Sequence, residues 1–449
     1  MTRLPFPAAP VLALLLLAGV ACAAPVAPVA TVQPSLETAP GLPDTPDEAD
    51  ADDPAVWLHP TDPARSLIIT AVKDAGLRVY DLQGRLVQRV EAARAGADGL
   101  PGRYNNVDVA YGLALPGGGV MDVAVASDRG RDRIMVWRID PNSAATPLAD
   151  VTDPEQPRVF PTRRAPDGSG EIANPAADQR SAYGLTTWKG PDGHRVIVAQ
   201  RKEARLVEHR LVVNPDGTVG HVRLRHWDFP YSHRGQSLTA EDDHDPARDW
   251  QPQFEGLVVD QERGILFAGQ EDVGLWRVNL TTGTADAAPF HETRGSTRSP
   301  FDNRASRVAR DVEGLALYYG PEGTGYLVAS SQGDAHGDEK APDPEGLDDT
   351  FAVFERGGDN RYLGSFRIVA GGGVDGVQEC DGAEIVSYAL PGFPNGLMVV
   401  QDGYNDDLNG LSGEPEATNF KYVDWKAIAG SFDPALMVTP QAWTPRPTP

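Results

Sequence analysis

Apolar residues along this chain come in short runs, separated by stretches rich in Gly, Pro, Asp and Asn. Runs of this kind, bounded by turn residues, predict strands rather than helices. The runs also repeat. A first strand opens behind an acidic or hydroxylic residue at Asp53 (DPAVWL), Asp108 (DVAYGLAL), Tyr183 (YGLTTW), Glu255 (EGLVVD), Glu313 (EGLALYY) and Asp381 (DGAEIVSYAL). A second, more apolar strand ends at Lys73, Arg129, Lys202, Glu271, Gln332 and Asp402. The two marked positions lie 16 to 21 residues apart, and the unit recurs every 55–75 residues. Further strands such as LRVYDL, RIMVWRI and TFAVFER follow, joined by turns such as NPDG at 214–217 and GGDN at 357–360. That period suits one four-stranded blade plus loops. The expected fold is all-β: a six-bladed β-propeller of mostly four-stranded antiparallel blades over residues 46–432. A pair of β-sandwiches would not repeat on this period.

The ends of the chain read differently. Arg3, an apolar run at 11–21 and the small residues Ala21-Cys22-Ala23 read as a signal peptide over 1–23. The run is too short to span a bilayer. A secreted or periplasmic location is expected, with membrane attachment only if Cys22 is lipidated. Residues 24–45 read as a flexible linker and 433–449 as a Pro-rich, disordered tail. Cys22 and Cys380 are the only cysteines, so removing or lipidating Cys22 leaves no disulfide within one chain. Loops 152–180, 229–250 and 333–348 are long enough to be lids or disordered insertions.

Charge narrows the function. Lys and Arg total 40 against 64 Asp and Glu, a net charge of −24. Such a surface disfavours nucleic acid and suits cations. In a propeller, equivalent positions of successive blades form a ring around the axis. One ring would hold Asp53, Asp108, Tyr183, Glu255, Glu313 and Asp381. The other would hold Lys73, Arg129 and Lys202 on one half, and Glu271, Gln332 and Asp402 on the other. Converging carboxylates repel unless cations neutralise them. Oxygen ligands without a His or Cys pattern point to several Ca²⁺ ions rather than Zn²⁺. Calcium facing Lys and Arg suits a highly anionic substrate such as a phosphate ester. Glu203, beside Lys202, is a candidate proton donor.

At this point the chain resembles a known family, the β-propeller phytases. The resemblance covers residues 46–430 and rests on DADDPAVWLHP, GLRVYDLQG, NNVDVAYG, FEGLVVD, DVEGLALYY, GYLVASSQGD, DGVQECDG, GLMVVQDG and NFKYVDW, in order across six units. It implies a calcium-dependent phosphomonoester hydrolase of the 3-phytase type, acting as a monomer on myo-inositol hexakisphosphate as its calcium complex. A calcium-activated water would attack phosphorus directly. By position, Lys73, Arg129, Tyr183 and Lys202 match the family's substrate-phosphate contacts. Glu255, Glu271, Asp311, Glu313, Gln332 and Asp381 match its active-site calcium region, and Glu255 and Asp381 would also position the water. Asp53, Asp375, Asn405 and Asp407 match its structural calcium positions. Two departures stand out: Asp74 replaces a second lysine, and Glu379-Cys380-Asp381 replaces Asp-Thr-Asp. The rival readings are a non-catalytic, calcium-stabilised binding propeller and a propeller lactonase or esterase. Neither needs Lys73, Arg129 and Lys202 together.

Overall fold

A computed structural model describes residues 29–41, 50–96, 99–238, 251–294, 303, 305–333, 346–405, 417–440 and 443–446. The signal peptide, Cys22, Asp407 and the loop parts 239–250 and 334–345 lie outside the described residues.

Six antiparallel sheets follow one another along the chain. Blade 1 runs Pro54–Trp57, Leu67–Ala71, Leu77–Tyr80 and Leu86–Val90. Blade 2 runs Tyr104–Ala114, Val120–Asp128, Arg133–Ile139 and Leu148–Asp150. Blade 3 runs Ala182–Gly190, Gly193–Gln200, Arg205–Val213 and Val219–Asp228. Blade 4 runs Phe254–Asp260, Ile265–Gln270, Gly274–Asn279 and Thr284–Ala285, with His291–Glu292 beside it. Blade 5 runs Leu315–Tyr319, Gly325–Ser331, Thr350–Glu355 and Tyr362–Ile368. Blade 6 contributes Ala383–Val386, Leu397–Asp402 and Asn419–Asp424.

The first strand of each blade touches the first strands of both neighbours, and the circle closes from blade 6 to blade 1. The apolar core divides the same way, into six clusters, one for each pair of adjacent blades. Trp57 and Trp137 centre the cluster between blades 1 and 2, and Leu185 and Val198 belong to the next. Trp188 and Trp276 follow, then Phe267 and Phe354, Tyr318 and Met398, and finally Tyr80 and Tyr422. Middle strands are covered on both faces, so they read as continuous apolar runs.

Two expectations fail at the ends. Within the expected linker, Ala30–Val32 pairs in parallel with Phe366–Ile368 of blade 5. Leu36–Glu37 pairs with Lys421–Tyr422 as the fourth strand of blade 6. Among the described residues, blade 6 receives three strands from its own stretch of chain, and the N-terminal segment covers the outer edge. The tail is docked as well. Trp443 stacks on Tyr319 at 4.1 Å, and Arg446 Nε donates to Leu58 O at 3.0 Å. Loop 152–180 is described in full and carries a hairpin, Thr162–Arg164 with Glu171–Ala173.

Candidate active site

Backbone geometry at the strand starts decides which residues face one another. In blades 2, 3 and 4 the inner strand shifts register between Tyr104 and Val107, Ala182 and Leu185, and Phe254 and Leu257. Bulges of this kind re-aim the residues they contain, here Asn105, Tyr183 and Glu255. A glycine follows the ring residue in four blades because the next blade's backbone sits where a side chain would start. A Cβ on Gly184 would lie 2.1 Å from Glu255 O, and one on Gly256 2.5 Å from Glu313 O. The same register places Asp52 and Asn105 in the ring. Gly382 packs against Asp52 O, and Asp53 O accepts from Ala71 N as Gly314 O does from Ser330 N.

Asp53 and Asp108 therefore leave the ring predicted for them. Asp53 Oδ2 accepts from Val107 N at 3.0 Å and ties blade 1 to blade 2. Asp108 Oδ2 accepts from Thr187 N at 2.6 Å and from the Thr186 and Thr187 hydroxyls, tying blade 2 to blade 3. Asp402 departs too: it ion-pairs with Lys421 at 3.1 Å.

On the acidic half, Glu255, Glu271, Glu313, Gln332 and Asp381 come together. Glu255, Glu271 and Glu313 each turn a carboxylate oxygen to a common point, all within 4.8 Å of one another. Gln332 Nε2 donates to Glu313 Oε2 at 2.7 Å and to Asp381 Oδ1 at 2.6 Å. Asp311 lies beside them, its charge acting on both Glu271 and Glu313. Burial pushes the three glutamates up from the ordinary value, and their neighbours' charges add to it: Asp381 on Glu255, Asp311 on Glu271, Glu255 on Glu313. Glu271 Oε1 and Asp52 Oδ1 are buried without a hydrogen-bond partner. Several all-oxygen donors, mutually repelling and incompletely satisfied, fit a hard divalent cation.

The basic half meets this group at the seam of blades 6 and 1. Lys73 Nζ lies 3.1 Å from Asp381, 3.2 Å from Asp50 and 3.6 Å from Asp52. Burial works against its charge, but these three carboxylates outweigh it and hold the ammonium's pKa well above its usual range. Arg129 Nη1 donates to Asn105 Oδ1 at 2.8 Å, and its guanidinium lies 5.6 Å from the Tyr183 ring centre. Burial, then the charges of Glu255, Glu271 and Glu313, raise the Tyr183 hydroxyl, which stays a phenol. Lys202 N donates to Gln253 Oε1 at 2.9 Å, and Gln253 Nε2 donates to Glu271 Oε2 at 2.9 Å. Asp74 pairs with Arg103, which reaches over from the start of blade 2. Glu203 is committed to Arg180 at 2.8 Å.

The described positions matched to structural calcium, Asp53, Asp375 and Asn405, do not form one group. Asp53 sits near the axis. Asp375 and Asn405 meet at 3.2 Å in a separate cluster with Glu37, around the buried Lys421 ammonium. Asp50, Asp52 and Asn105 escape the sequence pattern because it marks the acidic or hydroxylic residue directly ahead of each apolar strand. Aligning Asp53 and Asn106 with the four ring glycines would have found Asp52 and Asn105.

A family model described as Phytase matches residues 6–162 and 247–446. The chain belongs to the phytase family. It is thus an enzyme, and the two binding-only and lactonase readings fall away. A curated relative, the 3-phytase of Bacillus subtilis (strain 168), is 30% identical over 385 residues, covering 84% of this chain and 80% of the relative. Among solved structures, a luciferin-regenerating enzyme aligns with a TM-score of 0.41 at 11% identity, covering 86% of this chain and 95% of the other. The β-propeller domain of Myceliophteria thermophila Cps50 (Swd1) aligns with a TM-score of 0.37 at 12% identity, covering 83% of each chain. Residues 163–246, which include Tyr183 and Lys202, lie outside the family match. The place of Tyr183 follows from the blade register, and the Lys202 backbone joins the site through Gln253.

Proposed function

We propose that this phytase hydrolyses myo-inositol hexakisphosphate, presented as its calcium complex, and releases inorganic phosphate. The observation that carries the reading is the buried glutamate trio facing Lys73 and Arg129 across one mouth. Glu255, Glu271, Asp311, Glu313, Gln332 and Asp381 would hold Ca²⁺. When bound, calcium neutralises the carboxylates and makes a coordinated water more acidic.

The chain's own groups then divide the work. Arg129, Lys202 and Lys73 hold phosphoryl oxygens and offset charge as the P–O ester bond breaks. The Tyr183 phenol keeps its proton and donates a hydrogen bond to an oxygen. Glu255 orients the attacking water, whose oxygen forms the new bond to phosphorus while the inositol oxygen leaves with a proton. Asp53, Asp375, Asn405 and Asp407 are proposed as further calcium positions. The enzyme acts as a monomer and is exported, or tethered through Cys22, on the strength of its N-terminal sequence.

Phosphate release from phytate is the direct test, measured at neutral pH with added Ca²⁺ and again after chelation. Release that stops on chelation is expected. Undiminished release after complete chelation sinks the calcium assignment, and no release by folded, calcium-loaded protein sinks the substrate.

A further inference from the structure

The turns that carry the three basic residues are each held by the blade that follows. The contact comes every time from the residue two places before a ring residue. Arg103 pairs with Asp74, beside Lys73. Ser181 Oγ donates to Arg129 O, and Gln253 Oε1 accepts from Lys202 N at 2.9 Å. The Gln253 amide is bonded at both ends. Its Nε2 donates to Glu271 Oε2 at 2.9 Å, so one buried side chain bridges the Lys202 turn and a member of the glutamate trio.

Chemistry fixes the direction of that amide. The backbone N–H of Lys202 can only donate, so Oε1 faces it, and Nε2 is left to meet the carboxylate oxygen, which accepts. Glu271 Oε1 stays buried without a hydrogen-bond partner, open to a cation. At the other end, Lys202 holds a φ of +60° in a turn closed by Glu203 N on Gln200 O at 3.2 Å. A residue with a side chain keeps that conformation only where its surroundings fix it. Gln253, 5% exposed, supplies such a hold from the neighbouring blade.

We infer that Gln253 is a positioning residue: a cation held at Glu271 steadies, through the Gln253 amide, the turn that presents Lys202 to the phosphoryl group. The inference rests on the proposed function, and its test separates the two. Hydrogen exchange of the peptide carrying the Lys202 amide, with Ca²⁺ and after chelation, needs no turnover. In the wild type calcium should slow exchange at Lys202 about tenfold, and leave the turn at 214–217, at the other end of blade 3, near its calcium-free rate. In Gln253→Met the slowing at Lys202 should vanish. No slowing in the wild type, or equal slowing in both proteins, overturns the inference. On phytate, Gln253→Met should lower kcat/KM about tenfold, and the same change made in Lys202→Ala should cost far less, because the amide acts through Lys202. Equal losses in both backgrounds also overturn it, since a merely structural role is felt in either. If the wild type releases no phosphate from phytate while calcium still slows Lys202 exchange in the wild type and not in Gln253→Met, the substrate reading fails and the coupling stands. Phosphate release that stops on chelation, with Lys202 exchange indifferent to calcium, leaves the proposed function intact and overturns the coupling.

Discussion

Lys73 and Lys202 hold φ values of +45° and +60°, a region that side-chain-bearing residues seldom enter. Both sit just past the second strand of their blade, and the turn at Lys73 carries its ammonium across to Asp381. Strain of this sort persists only where the surroundings fix it, and it gathers at functional sites. Lys73→Ala removes the cation shared by Asp50, Asp52 and Asp381. Phosphate release should fall by about a hundredfold or more, while calcium still raises the melting temperature. Retention of near wild-type release would remove Lys73 from the mechanism. Glu271→Gln has the opposite signature. Without calcium it relieves repulsion and should raise the melting temperature. With calcium the gain should be smaller than in the wild type, because one ligand charge is gone. The pH dependence follows from the raised carboxyls. Below the ordinary glutamate value of 4.5, folded and unfolded chains are both protonated. As pH rises past that value, the unfolded chain releases these protons first. The folded protein keeps them, so calcium-free stability should decline with rising pH through this window. Melting curves from acid to neutral pH check this; a calcium-free stability that climbs steadily instead would contradict the raised pKa values.

At the element scale, the close approach of inner strands sets the site. Gly256→Ala would bring a methyl to 2.5 Å from Glu313 O and force two blades apart. It should cost about 1–3 kcal/mol in urea unfolding and displace Glu255 and Glu313 together. Blades are also clamped at their outer turns. Arg356 and Asp260 are both fully buried and bonded twice, Nη2 to Oδ1 at 2.6 Å and Nε to Oδ2 at 2.8 Å, joining blade 5 to blade 4. Arg356→Ala leaves the Asp260 carboxylate without its main partner and should cost about 3–5 kcal/mol, read from the same unfolding curves. These elements were largely legible in advance. The turn at 357–360 joins Thr350–Glu355 to Tyr362–Ile368 as the GGDN string implied. The bulges were not, because an inserted residue changes neither hydrophobicity nor turn chemistry.

The whole molecule closes through its N-terminus. Glu37 ion-pairs with Lys421 at the heart of the cluster that also holds Asp375 and Asp402. Removing residues 1–40 would uncover the outer edges of blades 5 and 6 and leave Lys421 with one carboxylate fewer. The truncated chain should unfold at lower denaturant concentration and associate through the bared edges, seen by light scattering. The same closure explains why the segment reads as linker. A two- or three-residue edge strand needs no hydrophobic period of its own when a preformed sheet supplies the partner.

The sequence alone determined the six units, their strands and the segregation of acidic from basic positions, because apolar runs, turn residues and charges are local properties. It also carried the family strings. Tertiary structure decided the rest. It moved the ring from Asp53 and Asp108 to Asp52 and Asn105, and it brought Lys73 to Asp381 across the closing seam. It also turned an apparent linker and a proline-rich tail into docked segments. These depend on register between strands and on contacts between residues hundreds of positions apart, which no local pattern encodes.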